Sequence, residues 1–236
     1  MGDLPKRRTV QTQNIIDAKP QLVIYGMSYH DLVSDSWNQD GVVLVHDNLK
    51  VRDDSLYLFN ENELTDFETE PTPFFKKKFL RNAFLYKFFG ITTSGMGDTF
   101  DYYTDPYGKD VKMRAETKKN MQEIISGAED ENNEWRPVVP ENPAQQDAFL
   151  YNVKTLTEAG IPVVIVNQPL HPLYSDKITD ESRKNYFKVL NETNVTYYDY
   201  EKLFGDECFH DSHHLSWTGN LAYAPYMADL IIQELT

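Results

Sequence analysis

Short apolar runs, each followed by turn-forming residues, alternate along this chain with stretches of helical periodicity. Residues 22–25 form a continuous apolar run before Gly26, and residues 161–167 form a longer run rich in β-branched side chains. Such runs are typical of strands that are buried on both faces, as in a parallel sheet. Residues 195–200 predict the last strand of the chain.

Helical periodicity appears in residues 14–18, 144–159, 179–190 and 217–235. Gly160 separates the second of these stretches from the strand that follows it, and this order is the α-to-β half of an α/β repeat. The pattern therefore predicts an α/β fold. Residues 1–12 are polar and basic and predict a frayed lead-in to the first helix.

The middle of the chain is less regular. Residues 74–89 place Phe75, Phe79 and Ala83 at helical spacing, with lysines opposite and Gly90 as a stop. The pattern predicts a helix that packs on the core with a solvated basic face. A lid or a contact with a membrane surface is the alternative, because basic amphipathic helices bind interfaces.

Bulk composition narrows the function classes. The length of 236 residues suits one domain, and the formal net charge of −14 argues against a nucleic-acid partner. No apolar run reaches the length of about 18 residues needed for a transmembrane helix. Residues 1–8 lack the apolar core of a signal peptide. Cys208 is the single cysteine, so the chain has no internal disulfide.

The densest cluster of reactive side chains lies near the end, in residues 209–220. Asp211 precedes His214 by three residues, and a carboxylate in that position can hold the imidazole in one tautomer for work as a general base. A second interpretation is a metal site built from His210, Asp211, His213 and His214. A third is a polar N-terminus of the following helix, capped by Asp211 or Ser212.

A second group of polar residues follows the predicted strands. Gly26 permits a sharp turn after the first strand, which places Ser28 where open α/β sheets bind their ligands. Asn167 and His171 follow the strand 161–167, so we expect them to face the same crevice as Ser28 and His214. A solvated turn serine and a turn histidine between two prolines are the simpler alternatives.

The pattern Phe-x-Asp-x-x-His-Leu-Ser-x-x-Gly-Asn over residues 209–220 resembles the last sequence block of the SGNH (GDSL-like) hydrolase and acyltransferase superfamily. The resemblance implies that Asp211 is the catalytic acid and His214 the base. The order of strand, helix, strand, loop and closing helix is similar to the C-terminal half of that fold.

Residues 19–31 resemble two different blocks of the same superfamily. Gly26-Met27-Ser28 is similar to the first block and implies Ser28 as the nucleophile, although Met27 departs from the usual Asp or small residue. The Lys-Pro start is similar to the third block, which supplies oxyanion donors. In that block Ser28 would replace an Asn, Asp31 would stand one position late, and the nucleophile would lie outside this chain.

The resemblance implies a three-layer α/β/α sandwich with a mainly parallel sheet. It implies a single domain over 1–236 with a helical and loop insertion around 46–143. The expected activity is serine-type ester hydrolysis or O-acyl (acetyl) transfer on a glycan or other hydroxyl-bearing substrate, without a cofactor. Gly26, Asn167 and His171 are expected near the oxyanion or substrate. The resemblance favours an extracytoplasmic or membrane-associated location.

Two other functions remain open from the sequence. One is a non-catalytic glycan- or partner-binding module that lacks its nucleophile. The other is a metal-dependent hydrolase that uses the histidine cluster.

Overall fold

The computed structural model describes residues 4–32, 51–60, 143–209 and 212–236. Most of the predicted insertion around 46–143 lies outside these residues, as does the amphipathic segment 74–89 with its possible membrane contact. None of the helices in the described part of the chain combines the length and the apolar character needed to cross a membrane.

Helices and strands alternate along the described residues. The strands are β1 (Val23–Met27), β2 (Val163–Asn167) and β3 (Tyr197–Asp199). The α-helices are α1 (Pro5–Thr9), α2 (Thr12–Ala18), α3 (Pro143–Glu158), α4 (Pro172–Ser175), α5 (Asp180–Glu192) and α6 (Trp217–Leu235). Short 3₁₀ turns cover Tyr29–Leu32, Asp53–Leu58 and Asp206–Cys208.

The three described strands form one parallel sheet in the order β1-β2-β3. Val23 pairs with Val163, and Ile165 pairs with Tyr197. Helix α5 carries the chain from the end of β2 back to the start of β3, as a parallel pair requires. The predicted mixed α/β class with a parallel sheet is therefore confirmed.

Alternate strand residues enter two separate apolar clusters, because successive side chains of a strand point to opposite faces. Tyr25, Met27 and Ile165 pack with α3 and α5 through residues such as Phe149 and Tyr186. The alternate strand residues point to the other face of the sheet and pack with α6, where Val164 and Val166 contact Leu230. All five residues of β2 are buried, which explains its continuous apolar sequence.

The expectation of a frayed lead-in over residues 1–12 is wrong for residues 5–12. Helix α1 begins with Pro5 at its first turn, where proline is well tolerated, and packs against α3. Buried Asn152 of α3 holds it there. The Asn152 amide nitrogen donates to the Pro5 carbonyl oxygen at 2.8 Å and to the Tyr25 hydroxyl at 3.2 Å. Thr12 donates to the Asn152 amide oxygen at 3.2 Å.

Gly26 does not end the first strand as predicted. It lies inside β1, opposite Val166, and the strand continues to Met27. A Cβ atom at Gly26 would stand 2.5 Å from Nε2 of Gln168, and the Gly26 carbonyl oxygen accepts a hydrogen bond from Arg8 at 2.6 Å. The missing side chain of Gly26 therefore makes room for the Gln168 amide, and the backbone continues through this residue as a strand.

A buried ion pair joins four segments at the carboxyl ends of the strands. Glu201, just beyond β3, accepts hydrogen bonds from Arg183 of α5, from the Tyr29 hydroxyl at 2.8 Å and from the Ser175 hydroxyl at 2.5 Å. The Glu201 side chain is 3% exposed and that of Arg183 is 21% exposed. Arg183 also donates to the Ser175 carbonyl oxygen at 2.6 Å.

The charges of this network shift the acidity of its members. Burial raises the pKa of the Glu201 carboxyl, but the hydrogen bonds from Arg183, Ser175 and Tyr29 lower it by more, so the pKa lies below its ordinary value of 4.5. Burial, and the hydrogen bond to Glu201, raise the pKa of Tyr29 far above its ordinary range. Glu201 is therefore ionised and Tyr29 neutral at neutral pH.

Arg183→Met should destabilise the protein strongly, because it leaves the Glu201 carboxylate buried without its counter-charge. Breaking a buried pair in this way typically costs about 3 kcal/mol or more. Urea unfolding measures the loss. Lys184→Met, at the exposed neighbouring position, is the matched control and should change the free energy of unfolding little. Equal, small losses in both variants would contradict a structural role for the pair.

The depressed pKa of Glu201 also predicts a pH dependence of stability. The carboxylate contributes its full stabilisation above its ordinary pKa of 4.5, and this contribution is lost as the pH falls through the lower folded pKa. Glu201→Gln should be less stable near neutral pH and should lose less stability on acidification than the parent. Urea unfolding as a function of pH tests this, and parallel profiles for the two proteins would count against it.

Candidate functional site

Ser28 lies directly after β1, at the carboxyl edge of the sheet, and precedes the 3₁₀ turn Tyr29–Leu32. Its backbone N–H donates to Oδ2 of Asp31 at 2.6 Å, and its hydroxyl lies 3.3 Å from the same oxygen. An acid that reaches back three residues to the N–H at the start of a helical turn forms half of a capping box. Ser28 is 7% exposed.

The Ser28 hydroxyl has an imidazole beside it as well as a carboxylate. Its Oγ lies 3.1 Å from Nδ1 of His30, and the same ring nitrogen lies 4.0 Å from Oδ1 of Asp31. Because a serine has one O–H proton, it donates to one of these acceptors at a time. Sequence reasoning missed His30. The signal was available, since His30 stands two residues after Ser28 in the turn that ends the first strand.

The loop that carries His213 and His214 lies against this turn. An antiparallel bridge between Phe209 and Leu215 closes the loop. The ring centroid of His213 lies 5.2 Å from that of His30 and 4.1 Å from that of His214. The structure thus brings the Ser28 turn and the loop of His213 and His214 to the same edge of the sheet, and pairwise contacts run from Ser28 to His30, from His30 to His213 and from His213 to His214.

His210 and Asp211 lie outside the described residues, so the Asp211–His214 pair stays a prediction. The same holds for the four-residue metal site, because two of its proposed ligands are these residues. Within residues 4–32, 51–60, 143–209 and 212–236, no group of three or more His, Cys, Asp or Glu side chains is placed to hold a metal ion.

Ser212 links the histidine loop to α4. Its hydroxyl lies 2.8 Å from Nδ1 of His213, and its carbonyl oxygen accepts a hydrogen bond from the backbone N–H of His171 at 3.1 Å. Ser212 is 2% exposed. These contacts hold the loop backbone at Ser212, directly before His213, against the start of α4.

His171 itself caps α4. Its ring is buried, and Nδ1 accepts a hydrogen bond from the N–H of Leu173 at 3.2 Å. A ring whose Nδ1 accepts this bond carries its proton on Nε2. The ring edge packs on Phe209 at a centroid distance of 5.6 Å. A substrate role for His171 stays a prediction, and this placement accounts for the residue by capping and packing.

Asn167 is fully buried at the end of β2. Its amide nitrogen donates to Oδ1 of Asp199 at 2.8 Å, and its amide oxygen accepts from the Tyr186 hydroxyl at 3.1 Å. Oδ1 of Asp199 also accepts from the N–H of Glu201 at 3.1 Å. In this arrangement Asn167 orders the ends of β2 and β3, and its predicted contact with substrate would require these bonds to break.

The Leu-Ser-x-x-Gly part of the terminal motif has a structural explanation. The Ser216 hydroxyl caps α6 by accepting from the N–H of Gly219 at 3.1 Å, and the Ser216 N–H donates to the Cys208 carbonyl oxygen at 2.8 Å. A Cβ atom at Gly219 would stand 2.0 Å from that same carbonyl oxygen. Glycine is required here because backbone packs directly on backbone, and this contact holds the base of the histidine loop.

Gly219→Ala should therefore destabilise the protein and displace the histidine loop. Overpacking typically costs about 1–3 kcal/mol, and a carbonyl oxygen cannot move aside as a side chain can. Gly26→Ala is the matched control, since its new Cβ would meet the flexible end of Gln168. Urea unfolding of both variants tests the contact. A loss for Gly26→Ala as large as that for Gly219→Ala would contradict it.

Comparison with known proteins adds one partial match. The model of an uncharacterised protein family matches residues 142–236, which is less than half of the chain. The matched region runs from α3 to the end of α6 and includes His213, His214 and Gly219, but not Ser28. The sequence has no match among curated proteins.

Proposed function

We propose that the chain is an SGNH-like serine ester hydrolase or O-acyltransferase. The proposal includes a single domain with a three-layer α/β/α sandwich and a mainly parallel sheet. Its support in the fold is the packing of α3 and α5 against one set of strand side chains and of α6 against the other. The parallel order of the strands is the second support.

The observation that carries the proposed activity is the position of Ser28. Its hydroxyl lies at the carboxyl edge of a parallel sheet, where ligands of α/β proteins bind. It is 3.1 Å from the imidazole of His30, and this imidazole is in ring contact with His213, which neighbours His214. A hydroxyl close to imidazoles is the arrangement that a serine nucleophile needs.

In the proposed reaction, Ser28 Oγ attacks the carbonyl carbon of an acyl ester while an imidazole takes its proton. The resemblance gives this role to His214, held in one tautomer by Asp211, and His30 is the ring nearest to Ser28. The tetrahedral intermediate collapses to an acyl-serine, and the alcohol leaves with the proton from the imidazolium. Water or an acceptor hydroxyl then attacks the acyl-serine and restores Ser28.

The oxyanion donors require one rearrangement. The Ser28 N–H points at Asp31 in the described conformation, so the Asp31 carboxylate must turn away before this N–H can bind an oxyanion. A donor of this kind is typically worth about 3–4 kcal/mol in the transition state. Asp31 therefore controls whether the strand-end turn is competent for catalysis.

The substrate class follows from the resemblance and from charge. An acylated small molecule or glycan, or an acceptor hydroxyl on one, suits the proposed ester chemistry. The net charge of −14 disfavours a nucleic-acid substrate. An extracytoplasmic or membrane-associated site of action belongs to the same proposal.

A non-catalytic binding module is the second candidate, and the capping role of Ser28 favours it. The Ser28 N–H donates to the Asp31 carboxylate, the Ser28 hydroxyl lies 3.3 Å from the same oxygen, and the residue is 7% exposed. A serine that serves only to start a 3₁₀ turn would be held in this way. The two candidates differ in whether the hydroxyl reacts.

Labelling with a fluorophosphonate probe, mapped by peptide mass spectrometry, distinguishes them. We expect a phosphonylated peptide that contains Ser28 and is absent from Ser28→Ala. His214→Ala should slow labelling by at least about 100-fold, in line with the loss of a general base. His213→Ala, the neighbouring ring, is the matched control and should slow it much less.

Three results would overturn parts of this proposal. An unlabelled protein with an intact circular-dichroism spectrum would identify a binding module. Labelling that survives in His214→Ala and disappears in His30→Ala would transfer the role of base to His30. Ester hydrolysis that requires stoichiometric zinc and is lost in both His210→Ala and His213→Ala would support the metal-dependent alternative.

A further inference from the structure

Helix α6 packs on the described fold through one of its sides, on which Met227 and Tyr223 are partly buried. Of its 19 residues, Gly219 and Leu230 are buried. Its outward side carries four large aliphatic residues with high exposure, namely Leu221 (60%), Ile231 (38%), Ile232 (60%) and Leu235 (49%). Three small exposed residues lie between them, Ala224, Pro225 and Ala228. We call these seven residues the outer stripe.

The outer stripe is one continuous face. Its members follow one another at steps of one or three residues, which places them along one side of an α-helix. Leu230 lies on the opposite side and packs with Val164 and Val166 of the sheet. The outer stripe is therefore separate from the side of α6 that the described fold covers, and an exposed apolar face is one of the features from which an interaction surface is inferred.

The residues of the outer stripe are arranged symmetrically about Ala228. Leu221 and Leu235 are each seven residues from Ala228, Ala224 and Ile232 are each four, and Pro225 and Ile231 are each three. If two copies of α6 lie antiparallel with the two Ala228 residues level, each isoleucine stands opposite an alanine or a proline. Each leucine stands opposite a leucine, and large side chains then fill the space left by small ones.

We propose that the outer stripe is a dimer interface, in which α6 pairs antiparallel with α6 of a second copy about a two-fold axis at Ala228. Such an isologous contact needs a surface that is complementary to itself, which the symmetric order of large and small residues provides. The small side chain of Ala228 lets the two helices approach closely at the axis.

The size of the contact sets the expected affinity. Leu221 to Leu235 spans about 21 Å at 1.5 Å per residue. A single pair of helices of this length buries less than the roughly 800 Å² per partner of a standard stable interface. We therefore expect a reversible dimer with a dissociation constant in the micromolar range.

A lipid surface fits the outer stripe less well than a second copy. Helices that lie on membranes usually carry Lys or Arg beside the apolar face, and these residues attract anionic headgroups. Residues 217–236 contain no Lys or Arg, and their charged side chains are Asp229 and Glu234. The charge of this helix would oppose binding to an anionic membrane.

Asp229 adds a property specific to the symmetric dimer. It is exposed and lies next to Ala228, so a two-fold axis at Ala228 brings the two Asp229 residues to the same side of the contact near the axis. Like charges repel in this position, and salt screens the repulsion. We expect Asp229→Asn and added salt each to strengthen the dimer.

Sedimentation velocity over a range of protein concentrations tests the proposal on the full chain. The parent should change from monomer to dimer as the concentration rises through the micromolar range, and Ile232→Glu should remain monomeric. Gln233→Glu adds the same charge at the next exposed position, outside the outer stripe, and should still dimerise. A parent that stays monomeric throughout, or an Ile232→Glu variant that dimerises normally, would overturn the proposal.

Cysteine cross-linking tests the antiparallel register. Ala228→Cys should form an inter-chain disulfide on mild oxidation, because the two positions meet at the axis. Leu221→Cys should not, because its two copies lie at opposite ends of the contact. Cys208, the native cysteine, is buried. Efficient cross-linking of both variants would indicate a parallel pair and contradict the proposal.

Binding to vesicles tests the lipid alternative. Monomers that bind phosphatidylcholine–phosphatidylglycerol vesicles, with binding lost in Ile232→Glu, would assign the outer stripe to lipid instead and overturn the proposal.

Discussion

The carboxyl edge of the sheet depends on one buried ion pair, Glu201 with Arg183. Removing charges from water is unfavourable, and the hydrogen bonds that Glu201 accepts from Arg183, Tyr29 and Ser175 offset this cost. Tyr29 neighbours Ser28 and His30, and Ser175 ends α4, the helix that His171 begins. Asn167 is tied to the same network, because Oδ1 of Asp199 accepts hydrogen bonds from both the Asn167 amide and the Glu201 N–H.

The fold of residues 143–236 follows closely from local sequence pattern. The predicted closing helix 217–235 has those bounds in the structure, and the predicted strand 161–167 differs from β2 by two residues at its start. These elements can be predicted because apolar periodicity is a local property of the sequence. Helix α1 could not be predicted in this way, since it is held in place by buried Asn152, far along the chain. The turn predicted at Gly26 was wrong because the side chain that packs against this glycine, Gln168, follows a different strand.

The candidate site was partly predictable for the same reason. Ser28, His214 and the glycine of the terminal motif stand in short sequence patterns, so residue types and spacing were enough to select them. His30 was not selected although it stands two residues after Ser28, because the contact of its ring with His213 is not recorded in any local pattern. Asn167 and His171 were selected by position alone. Their hydrogen bonds inside the protein, from Asn167 to the Asp199 side chain and from the Leu173 N–H to His171, are not revealed by the strand pattern.

The parallel pairing of Val23 with Val163 has a consequence for biosynthesis. Strand β1 leaves the ribosome long before β2, and the hydrogen bond from Asn152 to Pro5 joins residues 147 positions apart. The N-terminal segment therefore cannot reach its native contacts until α3 and β2 have been translated. During that interval the backbone N–H and C=O groups of β1 have no partner from β2, and apolar segments of this kind pair readily with other unfolded chains. Early capture by a chaperone would favour correct folding of this protein.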